Sequence, residues 1–209
     1  MKVLGITGGI GTGKSKVLDY LEKEHHATIR QLDQVASTLQ KQGSLCYQQM
    51  VEVFGGAILL ADGELNRVKV AQMIFEDSTK RQVLNQIIHP KVKEWIKEDI
   101  EKEKARGTLL YVIEAALLIE DNYKEICDEI WFIYSEKSVR IKRLEESRGY
   151  SRDKAEQIIC AQLTDEEFRE NTDRTIDNSG EFLDTITQVE GKLTSLVYFY
   201  SHYLPTSIL

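Results

Sequence analysis

Residues 8–15 constrain the fold more than any other part of the chain. They read Gly-Gly-Ile-Gly-Thr-Gly-Lys-Ser and match the phosphate-loop pattern of glycine, four residues, then Gly-Lys-Ser. An apolar stretch, residues 2–7, precedes them, and Val17, Leu18 and Leu21 follow at helical spacing. In such a strand–loop–helix arrangement, backbone N–H groups and the positive end of the helix surround phosphates. The motif therefore predicts an α/β fold that binds a nucleoside triphosphate, with ATP favoured.

Each residue type in the loop has a chemical role in binding phosphate or metal. Glycines reach backbone angles closed to other residues and let phosphate oxygens approach the amides. Lys14 would place a charge at the β and γ phosphates, and Ser15 would offer its hydroxyl to Mg²⁺. The alternative, a glycine-rich turn with an exposed lysine, explains neither side chain. We therefore predict ATP and Mg²⁺ as cofactors and the following ATP ligands: Gly8, Gly9, Gly11, Thr12, Gly13, Lys14, Ser15 and Lys16.

Strand and helix patterns alternate along the chain. Strands are predicted at residues 2–7, 27–32, 109–113, 129–134 and 175–176. Residues 34–107 are mainly helical, with an apolar stripe that includes Leu84 and Ile96 and is interrupted by His89-Pro90, where proline should start or kink a helix. Strands that alternate with helices pair in parallel through right-handed crossovers. The pattern predicts a three-layer α/β sandwich with a parallel five-stranded sheet.

Composition narrows the class of protein. The 209 residues are 42% hydrophobic and 29% charged, and only two prolines occur, so we expect a single domain over residues 1–209. A formal charge of −7 argues against nucleic acid or an anionic membrane as a partner. Three widely spaced cysteines indicate no disulfide framework, and the longest apolar runs, of about five residues, are too short to cross a bilayer. We expect a cytoplasmic protein, with the aromatic-rich residues 196–204 as a docked helix.

Asp33 stands at the end of the second predicted strand. This strand should lie beside the first, so the Asp33 carboxylate would face the phosphate loop across the carboxyl edge of the sheet. There it would accept a proton from a substrate hydroxyl. The spacing fits equally well an aspartate that caps the helix starting at Gln34.

A local excess of positive charge occupies residues 136–154. Arginines here would close over the triphosphate and stabilise charge on the transferring group. The alternative is a solvated charged helix face, the commoner explanation in a chain without a phosphate loop. The seven basic residues, against four acidic ones, are Lys137, Arg140, Lys142, Arg143, Arg148, Arg152 and Lys154.

Several short motifs in a fixed order resemble the dephospho-coenzyme A kinase family along nearly the whole chain. Besides the loop preceded by Thr7, they are Phe54-Gly55, Asp62-Gly63-Glu64-Leu65-Asn66-Arg67, Leu84-Asn85, His89-Pro90, Leu117-Leu118-Ile119-Glu120, Arg143-Leu144, Gln162 and Ile176-Asp177-Asn178-Ser179-Gly180. The resemblance implies transfer of the γ-phosphate of ATP to the ribose 3′-hydroxyl of dephospho-coenzyme A. It also implies a P-loop kinase core, a helical substrate region at residues 34–107 and a lid at residues 136–170.

The resemblance also implies roles for single residues. Asp33 matches the family's proposed base, and the resemblance favours this role over the capping role. The implied catalytic residues are Asp33, Lys14 and Arg143; further ATP ligands are Arg140, Arg148 and, at the adenine end, Asn178; and the implied substrate ligands are Asp33, Arg67 and His89.

Four positions depart from the family pattern. Gln31 replaces the first carboxylate of Asp-x-Asp, Ser37 replaces a common arginine, Ala116 replaces a proline, and Arg140 replaces a glutamine. A lost arginine would weaken binding of an anionic acceptor, because a bidentate guanidinium contact is hard to replace. Two alternatives therefore stay open: another small-molecule kinase of this fold, and a nucleotide-binding regulatory protein without catalysis.

Overall fold

The chain folds into two compact units. The computed structural model describes the backbone of residues 1–201 and the side chains of residues 1–196. One unit contains Met1–Ile29 and the chain from Gly107 onward, and the other is Arg30–Arg106. No helix among the described residues is long and apolar enough to cross a membrane.

Strands and α-helices follow one another along the described residues. In chain order the elements of the described residues are β1 (Lys2–Thr7), α1 (Lys14–His25), β2 (Thr28–Gln31), α2 (Leu32–Leu39), α3 (Leu45–Phe54), α4 (Arg67–Glu76), α5 (Ser78–Ala105), β3 (Leu110–Glu114), β4 (Glu129–Tyr134), α6 (Lys137–Arg148), α7 (Arg152–Cys160), α8 (Asp165–Asn171), β5 (Arg174–Asp177) and α9 (Phe182–Ser201).

The five strands form one parallel sheet in the order β2-β3-β1-β4-β5. β1 lies at its centre, with Ile6 opposite Glu114 of β3 and opposite Trp131 of β4. The predicted α/β fold with a parallel five-stranded sheet is confirmed, but the expectation that the second strand lies beside the first is wrong, because β3 lies between β2 and β1. Three strands differ from the prediction by one residue at each end. β2 stops at Gln31 because α2 begins at Leu32, β3 is Leu110–Glu114 and follows Leu109, which is 79% exposed, and β5 extends over Arg174–Asp177.

Helices cover both faces of the sheet in this unit. Phe132 of β4 stacks on Phe168 of α8, with ring centroids 4.7 Å apart. Neighbouring residues of a strand point to opposite faces, so Trp131 and Ile133 face the other layer. That layer is formed by α1 and α9, and its buried core is Leu4, Ile6, Val17, Leu18, Leu21, Ala27, Leu110, Val112, Trp131, Ile133, Ile176, Val189, Leu193 and Leu196. The sheet therefore has the three layers that the strand–helix alternation predicts.

The helix ends follow from local sequence. The Ser151 hydroxyl accepts from the Lys154 N–H at the start of α7, and Thr164 with Glu167 forms a capping box at the start of α8. α9 buries Leu196. The remaining part of the predicted aromatic tail, residues 197–204, lies outside the residues whose side chains are described.

The second unit is built around α5. A single helix runs through Pro90, so proline does not start a helix here; Asp77 caps α5 at its N-terminus instead. Its buried face is Leu84, Ile88, Val92, Ile96, Asp99 and Glu103. The two carboxylates on this face are paired: Arg30 Nε donates to Asp99 at 2.6 Å, and Arg106 Nη1 donates to Glu103 at 2.7 Å.

Candidate functional site

The phosphate loop connects the end of β1 to the start of α1. Gly13 is the N-cap of α1, with φ 83° and ψ 24°, a left-handed conformation that favours glycine. No side chain caps this helix end. The Lys16 N–H donates to the Gly13 carbonyl at 3.1 Å. This end of α1, with the positive end of its dipole, is suited to bind an anion.

Gly9 does not have a positive φ, so its backbone conformation is not what requires glycine at this position. A Cβ added at Gly9 would lie against the Arg140 guanidinium, 2.8 Å from Cζ, and 2.9 Å from Gln162 Oε1. The sequence predicts that the loop glycines make room for phosphate. The structure gives a second reason for glycine at position 9, because any larger residue would collide with the side chains packed behind the loop.

The carbonyl side of the loop is held by side chains. Arg140 Nε donates to the Ile10 carbonyl at 2.9 Å. Arg143 Nη1 donates to the Thr12 carbonyl at 3.2 Å, and Asn178 Nδ2 donates to the same carbonyl at 2.8 Å. A carbonyl shares its peptide plane with the next N–H and points the opposite way. These contacts therefore fix the direction of the N–H groups on the other side of the loop.

Arg143 and Asn178 belong to a small buried network. Arg143 Nη1 also donates to Ser135 Oγ at 3.0 Å, and Nη2 donates to the Asn178 carbonyl at 2.8 Å. Thr185 Oγ1 donates to Asn178 Oδ1 at 3.0 Å. Asn178 is only 2% exposed. A fully bonded buried network of this kind holds its members in one geometry.

Lys14 lies folded over the loop. Its ammonium donates to the carbonyls of Gly8, at 2.8 Å, and Gly9, at 3.3 Å. It is also 3.8 Å from Glu114 Oε1, and both side chains are 15% exposed. The ammonium is therefore already positioned at the loop, with a carboxylate from the neighbouring strand beside it.

Glu114 lies at the site, although the sequence predicts only that it follows a strand. It closes β3, directly opposite Ile6 of β1. The sequence does carry a signal, because ligands of such sheets bind at the carboxyl ends of the strands, next to a reversal in strand order. An acidic residue that ends a buried strand is therefore a candidate for the site.

The three predicted lid arginines lie in different environments. Arg140 is 4% exposed, and burial lowers the pKa of its guanidinium, an effect that the nearby Asp165 opposes. Arg143 is partly buried behind the loop, and Arg148, the last residue of α6, is exposed. In this structure Arg140 and Arg143 contact the loop itself. Direct ATP contacts of the three arginines and of Asn178 stay predictions.

Among the other predicted loop residues, Thr12 is buried and its hydroxyl donates to the Gly9 carbonyl at 2.9 Å. Ser15 and Lys16 are exposed in the first turn of α1, and the Lys16 ammonium lies 5.3 Å from the centre of the Phe182 ring. The exposed Ser15 hydroxyl is accessible to a metal ion, as its predicted role requires.

The predicted acceptor residues belong to the second unit. Asp33 is exposed in the first turn of α2, but Gln31 is the N-cap and no side chain caps the helix, so the capping interpretation of Asp33 is wrong. Arg67 begins α4, is exposed, and donates to the Ser37 carbonyl at 3.3 Å. His89 is half-buried on α5. Their roles toward a substrate stay predictions.

A parallel five-stranded sheet with a phosphate loop between β1 and an uncapped α1 defines a P-loop protein of the nucleotide-kinase type. A family model described as dephospho-CoA kinase matches residues 2–184. A curated dephospho-CoA kinase from Streptococcus mutans is 36% identical over 199 residues, which cover 93% of this chain and 98% of that protein. The chain belongs to the dephospho-CoA kinase family, as its sequence motifs predicted.

Solved structures agree on the fold. A crystal structure from Thermus thermophilus has a TM-score of 0.78 at 23% identity and covers 93% of this chain and 97% of that chain. A dephospho-CoA kinase from Campylobacter jejuni has a TM-score of 0.69 at 20% identity, over 95% and 98% of the two chains. The predicted P-loop kinase fold and membership of a transferase family that uses a nucleotide are confirmed.

Proposed function

We propose that this protein transfers the γ-phosphate of ATP to the ribose 3′-hydroxyl of dephospho-CoA, which gives CoA and ADP. The observation that carries the proposal is the phosphate loop at the uncapped N-terminus of α1, in a chain of the dephospho-CoA kinase family. The excess negative charge of the chain fits a small-molecule acceptor and not nucleic acid. Free thiols at all three cysteines fit a reducing cytoplasm.

The loop binds the donor. Its N–H groups and the end of α1 surround the phosphates, and Lys14 exchanges the carbonyls of Gly8 and Gly9 for β and γ phosphate oxygens. Because the loop is held from behind, little reorganisation accompanies binding. Electrostatic stabilisation of this pre-organised kind is usually the largest contribution to such catalysis.

The donor set at the loop fits Mg²⁺, which prefers oxygen ligands and keeps several waters. Ser15 has an exposed hydroxyl, and Glu114 supplies a carboxylate at the adjacent strand end. These two side chains would hold the ion, directly or through water. When bound, Mg²⁺ supplies positive charge at the β and γ phosphate oxygens.

The acceptor is activated by Asp33. The ribose oxygen forms a bond to the γ-phosphorus as the bond to the oxygen bridging the β and γ phosphates breaks, and the ribose proton moves to the Asp33 carboxylate. The transition state is loose, so positioning matters more than early proton removal. Residues 34–107 bind the acceptor, with Arg67 and His89 among its ligands. Residues 136–170 form the lid, and exposed Arg148 meets the phosphates.

The test is formation of CoA from ATP and dephospho-CoA, followed by mass spectrometry. Lys14→Ala should reduce turnover by about 10²–10³-fold, as removal of one transition-state donor does. Asp33→Asn should reduce it by about 10²–10⁴-fold, the usual contribution of a general base, with ATP affinity kept. Glu22→Gln, an exposed carboxylate on α1 outside the proposed acceptor region, is the matched control and should retain wild-type turnover.

Three outcomes would contradict parts of this proposal. Full turnover in Asp33→Asn removes Asp33 as the base. ATP binding without CoA formation, but with transfer to a nucleotide or sugar in an acceptor panel, replaces the acceptor. ATP binding without transfer to any acceptor leaves a nucleotide-binding regulatory protein.

A further inference from the structure

Gln162 connects the segment between α7 and α8 to the phosphate loop. Its Oε1 accepts from the Ile10 N–H at 2.8 Å and from Arg140 Nη2 at 3.1 Å. One side-chain oxygen therefore binds two donors that come from separate parts of the first unit. The Ile10 N–H is directed toward Gln162, so it is not among the groups that face phosphate.

Ile10 is held at both of its peptide groups. Gln162 accepts from its N–H, and Arg140 Nε donates to its carbonyl at 2.9 Å. The Ile10 carbonyl lies in the same peptide plane as the Gly11 N–H. The pair of side chains thereby fixes the direction of the Gly11 N–H, which lies on the opposite side of that plane.

Arg140 cannot easily move away from this position. It is 4% exposed, and its Nη1 is 3.8 Å from Asp165 Oδ1 at the start of α8. The Gly9 backbone passes so close to the guanidinium that a Cβ there has no room. A buried guanidinium that loses its acceptors has no water to replace them.

The Ile10 side chain adds an apolar contact to the same region. It packs against a small core formed by α6 and α7, whose buried members are Ile141, Leu144, Ala155 and Ile159. The loop tip is thus joined to these helices by its side chain and by both peptide groups. A displacement of the α7–α8 segment would be passed to the loop through Gln162.

We propose that Gln162 is a positioning residue for nucleotide binding: with Arg140 it fixes the Ile10 backbone and so orients the phosphate-binding N–H groups. This inference rests on the proposed function to the extent that the loop binds ATP. It does not depend on which acceptor receives the phosphate. Gln162 acts through the loop and touches no reacting atom.

The experiment compares four variants of the full chain. Gln162→Leu removes the acceptor, and Gln162→Asn keeps an amide that is one methylene too short to reach Ile10. Gln162→Glu keeps an acceptor at the same reach and serves as the conservative rescue. Gln157→Leu, at an exposed glutamine in α7, is the matched control. For each, the Kd of ATP is measured by calorimetry, and hydrogen exchange is measured at residues 8–15.

The Leu and Asn variants should each bind ATP about ten-fold more weakly, because a donor in the loop loses its partner. Their loop amides should exchange faster, and where turnover is measured the KM for ATP should rise more than kcat falls. The Glu variant should stay within about two-fold of wild type, and the Gln157 variant should be unchanged. If Gln162→Leu fails to fold, Gln162→Asn carries the test.

Wild-type ATP affinity and loop exchange in folded Gln162→Leu or Gln162→Asn protein would overturn the inference. So would a lower melting temperature with unchanged Kd, which is the result expected of a merely structural residue. Failure of the proposed function is seen separately. In that case the wild-type chain forms no CoA, while the effect of Gln162 on ATP affinity can still be measured.

Discussion

Gly9→Ala tests the packing behind the phosphate loop. The backbone of Gly9 has no positive φ, so alanine meets no conformational strain there. The new methyl group would instead meet the Arg140 guanidinium and Gln162 Oε1, and it would lie only 2.9 Å from that oxygen. We therefore expect loss of stability from overpacking alone.

The loss of stability in Gly9→Ala depends on which side chain must move to make room for the methyl group. The guanidinium is the end of a flexible side chain, but hydrogen bonds to Ile10 and Gln162 hold it in place. Overpacking of a filled site costs about 1–3 kcal/mol. A free-energy change of about 2 kcal/mol lowers the melting temperature of a chain of this length by about 4–8 °C.

The assay is thermal unfolding of a double-mutant cycle. If the methyl group collides mainly with the guanidinium, Gly9→Ala should cost less in an Arg140→Ala background than in the wild type, because the nearer of the two obstacles is gone and only Gln162 Oε1, at 2.9 Å, remains. Additive effects of the two substitutions would refute the steric reasoning. Unchanged stability of the single variant would refute it as well.

The same substitution elsewhere should have the opposite sign, and this provides the control. Gly191 is exposed in α9, and a Cβ there would meet nothing within 4 Å. Glycine inside a helix is less favourable than alanine by about 0.5–1 kcal/mol. Gly191→Ala should therefore raise the melting temperature by about 1–4 °C. A decrease would show that α9 is packed at this point.

Two further predictions concern titrating groups. The Tyr20 hydroxyl donates to Glu190 at 2.6 Å, and this hydrogen bond, with a smaller contribution from His25, lowers the pKa of Glu190. The lowered pKa means that the ionised Glu190 stabilises the fold. This stabilisation is present above the usual carboxyl pKa and is lost as pH falls through the lowered pKa. Tyr20→Phe should therefore lower the melting temperature most at neutral pH and least in acid; a difference independent of pH would contradict this. Burial raises the pKa of the Cys127 thiol to about 12, whereas Cys160 is exposed. A thiol reagent at neutral pH should modify Cys160 first, as peptide mass spectrometry would show, and faster modification of Cys127 would contradict the packing around β1.

The fold was largely predictable because its three inner strands, β1, β3 and β4, are buried on both faces. Such strands are continuous apolar runs, and turn residues bound them. The longest described helix, α5, was harder to predict, since it contains Pro90 and proline is a usual helix breaker. The local cost of a missing N–H is small beside the burial of a whole face of α5, which the sequence does show as a regular stripe.

The candidate site was predictable only on the phosphate side. The loop motif specifies N–H groups and a lysine, which are local in sequence. The groups behind the loop come from residues more than a hundred positions away, such as Arg140 and Asn178. Sequence spacing cannot show that two distant side chains meet a given carbonyl, and arginine is seldom fully buried, which made an exposed lid position the natural expectation.

Burial divides the arginines of α6 into two kinds, and this limits which of them can serve the proposed lid. Movement of Arg140 to a phosphate would break its bonds to Ile10 and Gln162 and leave buried partners unsatisfied. Arg143 would have to leave the carbonyls of Thr12 and Asn178 in the same way. Arg148 is exposed, so movement of its guanidinium to a phosphate would displace only water. Arg140 and Arg143 already hold the carbonyl side of the loop, so a mobile positive charge is needed only on the phosphate side. Arg148 is the predicted lid arginine that can supply this charge without breaking a contact to the loop.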